Sequence, residues 1–129
     1  MLLTWDRWQG TRDTGGAVDA PCWHDIESAI RRLDGEVYTM VTISAGEGIY
    51  LSIGGGSGQF VVTGSTDNNQ TFFTLVDRAQ GDVMQQLVAG GQEGDYPARM
   101  CVGLETALRA AKRFAMAGER ESSLSWELT

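Results

Sequence analysis

The feature that most restricts the fold is a run of alternating apolar residues between positions 37 and 89. In "EVYTMVTISA", Val37, Thr39, Val41 and Ile43 alternate with Tyr38, Met40 and Thr42, and "GIYLSI" places Ile49, Leu51 and Ile53 on one face. "QFVVTG" and "QTFFTLV" are two more β-branched and aromatic stretches, and "VMQQLVAGG" reads as a fifth, polar on part of one face. A period of two with short Gly- and Asn-rich breaks predicts consecutive strands joined by tight turns, which pair antiparallel.

Helical patterns flank this run. Ile26, Ala29, Ile30 and Leu33 recur at three and four residues. Asp19 is placed to cap that helix, Pro21 suits its first turn, and Gly35 suits its end. Leu104, Ala107, Leu108, Ala111, Phe114 and Ala115 repeat in the same way from a Gly103 cap to Gly118, with Glu105 spaced to pair with Arg109. Met1 to Trp8 predicts a first strand and "SSLSWEL" a last one, while "QGTRDTGGAVDAP" and "QEGDYPARM" read as irregular. The expectation is an α+β fold: an antiparallel curved sheet of about five or six strands with two helices packed on one face. The 129 residues contain no repeat or linker, so residues 1–129 are expected to form one domain.

The glycines of "YLSIGGGSGQFVVT", Tyr50 to Thr63, raise the question of a phosphate loop. Such a loop works because a strand and glycine turn open directly into a helix, whose amides and dipole receive the anion. Here the glycines lead into Gln59-Phe60-Val61-Val62, a strand, and no Gly-Lys-Ser/Thr follows. The stretch is expected to be a hairpin turn.

Seventeen acidic residues oppose ten basic ones, a net charge of −7. The excess is concentrated from Asp34 to Asp95, where Arg78 is the sole basic residue. Nucleic acid is therefore not an expected partner, because its phosphates would be repelled, whereas a basic protein is suited. Cys22 and Cys101 are too few for a disulfide framework and are read as buried reduced thiols. With His24 the single histidine, no multi-histidine metal site can be built. No apolar run approaches the roughly 18–20 residues of a membrane span, and Asp6 and Arg7 interrupt any signal-like start. The cytoplasm is the expected location, without membrane contact.

Catalytic constellations are not evident. Cys22 and His24 lie two apart, a spacing that sends them to different helix faces. Gly90-Gly91-Gln92 matches a peptidyl-hydrolysis tripeptide, but three residues are too few to carry that meaning. Carboxylates at Asp77, Asp82, Glu93 and Asp95 form no distinguished pair. No catalytic residue, cofactor or small-molecule substrate is expected. The contact candidates are Asp67, Asn68 and Asn69 in one polar loop and Glu93, Asp95 and Tyr96 in another, with Asp77 and Asp82 in reserve. Polar, acidic loops with an aromatic suit an inhibitor of a basic enzyme, since carboxylates can stand where substrate phosphates would. The alternative is a small-ligand or enzymatic α+β module using a cleft between sheet and helices.

In order along the chain, "AIRRLDGEVYTMVTI", "YLSIGGGSGQFVV" and "VAGGQEGDYPARMCVGLETALRAAKRFAMAGERESSLSWEL" resemble the Imm1 family of bacterial immunity proteins. The shared features are a helix ending in Leu-Asp-Gly, a glycine-rich hairpin, Gly-Gly-Gln, an Ala-rich helix and a late Trp-Glu. The resemblance implies a non-enzymatic protein that neutralises a co-produced toxin of a polymorphic toxin system. The partner it implies is the C-terminal domain of that toxin, often nucleic-acid-directed and deaminase-like. It brings no catalytic residues. Gly55-Gly56, Gly90-Gly91-Gln92 and Trp126-Glu127 are as apt to maintain the fold as to touch a partner.

Overall fold

A computed structural model describes residues 1–129. The chain runs β1 (Leu2–Trp5), β2 (Trp8–Gln9), β3 (Arg12–Asp13), β4 (Gly16–Asp19), α1 (Trp23–Arg31), β5 (Met40–Gly46), β6 (Ile49–Gly56) and β7 (Gln59–Ser65). It continues with β8 (Phe73–Val76), β9 (Met84–Ala89), β10 (Gln92–Pro97), a 3-10 turn (Ala98–Met100), α2 (Leu104–Ala117) and β11 (Ser125–Leu128). The fold is α+β, as expected. The main sheet has seven antiparallel strands in the order β11-β8-β7-β6-β5-β1-β4, not five or six, and β9–β10 and β2–β3 form separate two-stranded sheets.

The additional strands come from segments whose composition reads as loop. Gly16–Asp19 pairs with β1 as an edge strand, and Gln92–Pro97 pairs along its whole length with Met84–Ala89. Backbone pairing with a neighbour forms both strands despite glycine, aspartate and proline. The glycine run also changes element: Gly54, Gly55 and Gly56 lie inside β6, and the turn itself is Ser57–Gly58. It leads from strand to strand, as expected.

Helix α1 begins later than its sequence suggests. Asp19 ends β4, and Cys22 is the N-cap, its N–H donating to the Asp25 carboxylate at 3.0 Å. Cys22 is consequently exposed and Cys101 only partly buried, which corrects the expectation of two buried thiols. After α1, Asp34 accepts from the N–H groups of Glu36, Val37 and Tyr38. Desolvation pushes its carboxyl upward, but these donors together hold it below the ordinary value of 3.8. This looped segment delays β5 to Met40. Helix α2 starts at a Gly103 N-cap and ends at Gly118 in the left-handed conformation, both as expected. Arg109, however, bonds Ser123.

Both helices bury their apolar stripes against one sheet face. Ile26, Ile30 and Leu33 of the α1 segment and Ala107, Leu108, Ala111 and Phe114 of α2 join Leu3, Val41, Ile43, Leu51, Ile53, Val62, Phe73 and Leu75 in one core. Cation–π contacts secure its margin, with Arg32 over both Trp5 and Tyr38 and Lys112 over Trp23. Phe73 meets Trp126 edge to face with ring centroids 5.4 Å apart.

Candidate functional site

Alternation along the strands sends a second set of side chains to the face away from the helices. Cross-strand register aligns Thr4, Thr42, Ser52, Thr63, Thr74 and Glu127 in one row from β1 to β11. Thr42 and Ser52 are hydrogen-bonded at 2.9 Å, and Thr63 donates to the Phe73 carbonyl. Glu127 ends the row in a two-point pair with Arg99, at 2.8 and 3.2 Å, and Arg99 also binds Asp82. The hydrogen-bonded guanidinium holds the Glu127 carboxyl below its usual range, and the two carboxylates raise Arg99 in turn.

The β9–β10 hairpin lies over one end of this face. Its two-residue turn is Gly90–Gly91, with φ of +64° and +77°, the left-handed geometry a tight hairpin requires. A side chain at Gly91 would occupy the space of the Trp8 indole. At Gly54 an added Cβ would stand 2.5 Å from the Ala89 Cβ, so its missing side chain admits the hairpin. Val61, Val76, Leu87 and Ala98 are also buried but lie outside the main core.

Asp6 fixes the turn. Its Oδ1 accepts from the N–H groups of Thr39 at 2.7 Å and Met40 at 2.9 Å, and its Oδ2 accepts from the Trp8 indole and the Thr39 hydroxyl. Thr39 Oγ1 then accepts from the Gly91 N–H at 2.9 Å. Four donors thus satisfy its two side-chain oxygens, which is what a buried polar group requires. A hollow of about 240 Å³ beside it includes Thr4, Asp6, Trp8, Asp13 and Gly90. Its carboxylates are already committed, because Asp13 accepts from the Arg7 and Gly15 N–H groups.

The β7–β8 loop stands at the opposite end of the face. Asp67 accepts from the Thr71 N–H, the main cause that holds its carboxyl below the usual range, and from Ser65 Oγ. Asn68 and Asn69 are both left-handed, and Asn69 Oδ1 accepts from the Tyr50 hydroxyl at 2.7 Å. Asn68 packs on Gly48, tying the loop to the β5–β6 turn. Asp77 lies in the exposed turn after β8 and accepts from the Ala79 N–H. Glu93 and Asp95 are exposed on β10. Tyr96 is half-buried, its ring beside Gly94, where the sequence suggests an exposed aromatic.

The two predicted segments therefore flank one sheet face without touching. Sequence reasoning missed the hydroxyl row, the Arg99 pairs and Asp6. The row has a legible signal, a hydroxyl residue within each of five predicted strands. Asp6 has none, since its backbone donors are 33 and 34 residues away.

No three His, Cys, Asp or Glu side chains converge to hold a metal, and no helix is long and apolar enough to cross a membrane. Fold and surface together define a small α+β protein whose sheet face away from the helices carries a hydroxyl row, with the β9–β10 hairpin over one end. Residues 14–128 match the family described as immunity protein Imm1, and the chain belongs to that family. An immunity protein implies a protein toxin as its partner. No curated protein matches the chain.

Proposed function

We propose that this chain binds a cognate toxin and covers its active site, performing no chemistry of its own. The observation that carries this reading is the family match over residues 14–128. The net charge of −7 supports it and favours a basic partner. The toxin proposed is the nucleic-acid-directed C-terminal domain of a larger polypeptide in a polymorphic toxin system, with deaminase-like chemistry. An enzyme that handles a phosphate backbone needs a positive surface, and carboxylates can substitute for phosphates on it. Contacts are drawn from Asp67, Asn68, Asn69, Asp77, Glu93, Asp95 and Tyr96. The encounter takes place in the cytoplasm of the producing cell.

The test is co-expression of this chain with the C-terminal domain encoded immediately upstream. Survival with the chain and death without it is the expected result. Equal death in both cultures overturns the reading. If the toxin is a deaminase, the purified chain also suppresses base conversion in a DNA or RNA substrate at equimolar ratio.

A further inference from the structure

We infer that the outward face of the β9–β10 hairpin is the surface that enters the toxin, and that it fits a basic cleft with an apolar floor. The inference deepens the immunity reading and rests on it.

Register fixes which side chains point outward. Leu87 is buried and opposite Gly94, and Ala89 faces Gly54, so these positions look toward the sheet. The alternate pairs, Met84 with Pro97, Gln86 with Asp95, and Val88 with Glu93, therefore look away from it. On this face Met84, Gln86, Glu93 and Asp95 are exposed, while Val88 is half-buried beside a hollow it shares with Trp8 and Glu36. Val83 and Met84 at its open end are 77% and 61% exposed. Adjacent, strongly exposed apolar residues on an otherwise acidic segment mark a contact surface more than a solvated one.

Charge identifies the occupant. Between Arg78 and Arg99 the chain has three acidic residues and no basic one. Asp82 is paired with Arg99, whereas Glu93 and Asp95 take part in none of the ion pairs. A second copy of this chain would bring carboxylate onto carboxylate, so a basic protein is favoured over self-association. The rival segment is different in kind. Asp67 and Asn69 are occupied by Ser65, Thr71 and Tyr50, and they hold their own loop in shape.

The hairpin is also ready to bind. Its turn is fastened by Asp6, Thr39 and Trp8, and Ala89 rests on Gly54. A ridge already held in its bound shape loses little conformational entropy on docking. A two-stranded ridge suits a cleft, the usual shape of an active site.

The probe is the purified C-terminal domain encoded immediately upstream, titrated calorimetrically with wild type and three variants. Melting temperature is recorded for each. Glu93→Lys combined with Asp95→Lys is expected to weaken binding about a hundredfold, and Met84→Ala about tenfold, with melting unchanged. Glu105→Lys, an exposed charge reversal on α2 in none of the ion pairs and on the opposite side of the sheet, is expected to change affinity less than about threefold. Tight wild-type binding that the hairpin variants leave intact, or that Glu105→Lys weakens as much as they do, overturns the hairpin assignment. A wild-type dimer dispersed by Met84→Ala overturns it as well. A wild type that neither binds nor protects overturns the immunity reading itself, a result distinct from these.

Discussion

Asp6 holds two parts of the molecule that are remote in sequence. Its carboxylate organises the start of β5 through Thr39 and Met40, and through the Thr39 hydroxyl it reaches the Gly91 amide. Removing it leaves two backbone N–H groups and an indole without acceptors in a site where Asp6 is only 7% exposed. Asp6→Ala is therefore expected to destabilise the fold by about 3 kcal/mol, seen as a lower denaturant midpoint. Asp6→Asn should cost less, because its Oδ1 still serves Thr39 and Met40 while its amide opposes the indole donor. Equal midpoints for wild type and Asp6→Ala would show that other groups hold the turn. Glu127 illustrates the same economy on the far side of the sheet, bound by Arg99 while neighbouring Trp126 donates to the Glu121 carbonyl. The family's Trp-Glu is thus engaged in holding β11 to the body of the protein.

Among elements, those governed by side-chain pattern were legible and those governed by a neighbour's backbone were not. Both helices follow from apolar spacing, and β5 to β9 follow from alternation. Strands β4 and β10 carry Gly-Ala-Val-Asp and Gln-Glu-Gly-Asp-Tyr-Pro, sequences with little β preference, and they exist because β1 and β9 offer them partners. Strand β9 was legible as a strand, but its departure from the main sheet was not. That depends on Gly54, where close approach demands a missing side chain. The candidate residues were partly legible: Glu93 and Asp95 are exposed, while Asp67 and Asn69 are tied up locally. Gly54→Val should lift the hairpin and cost about 1–3 kcal/mol, read by chemical denaturation. Ala89→Gly in the same chain should restore part of that loss, a coupling that a double-mutant cycle measures. Strict additivity would place the collision elsewhere.

At the scale of the whole molecule, charge sets how quickly a partner is found. The Debye length shrinks from about 10 Å at 0.1 M salt to about 3 Å at 1 M, which screens a net −7 from anything but contact. Association with a basic toxin should slow at least about tenfold over that range, while dissociation changes far less. Stopped-flow measurement of both rates checks this. A salt-independent association rate would mean that shape alone, and not the field of the chain, guides the encounter.

The hairpin hangs outside the seven-stranded sheet and is secured from beneath, by Gly54, Thr39, Asp6 and Trp8. Positions 84, 86, 88, 93 and 95 on its upper side answer to none of those anchors. Substitutions there are therefore expected to change the surface one position at a time, without the chain relearning how to fold. A new adversary calls for new lettering on a standing sign.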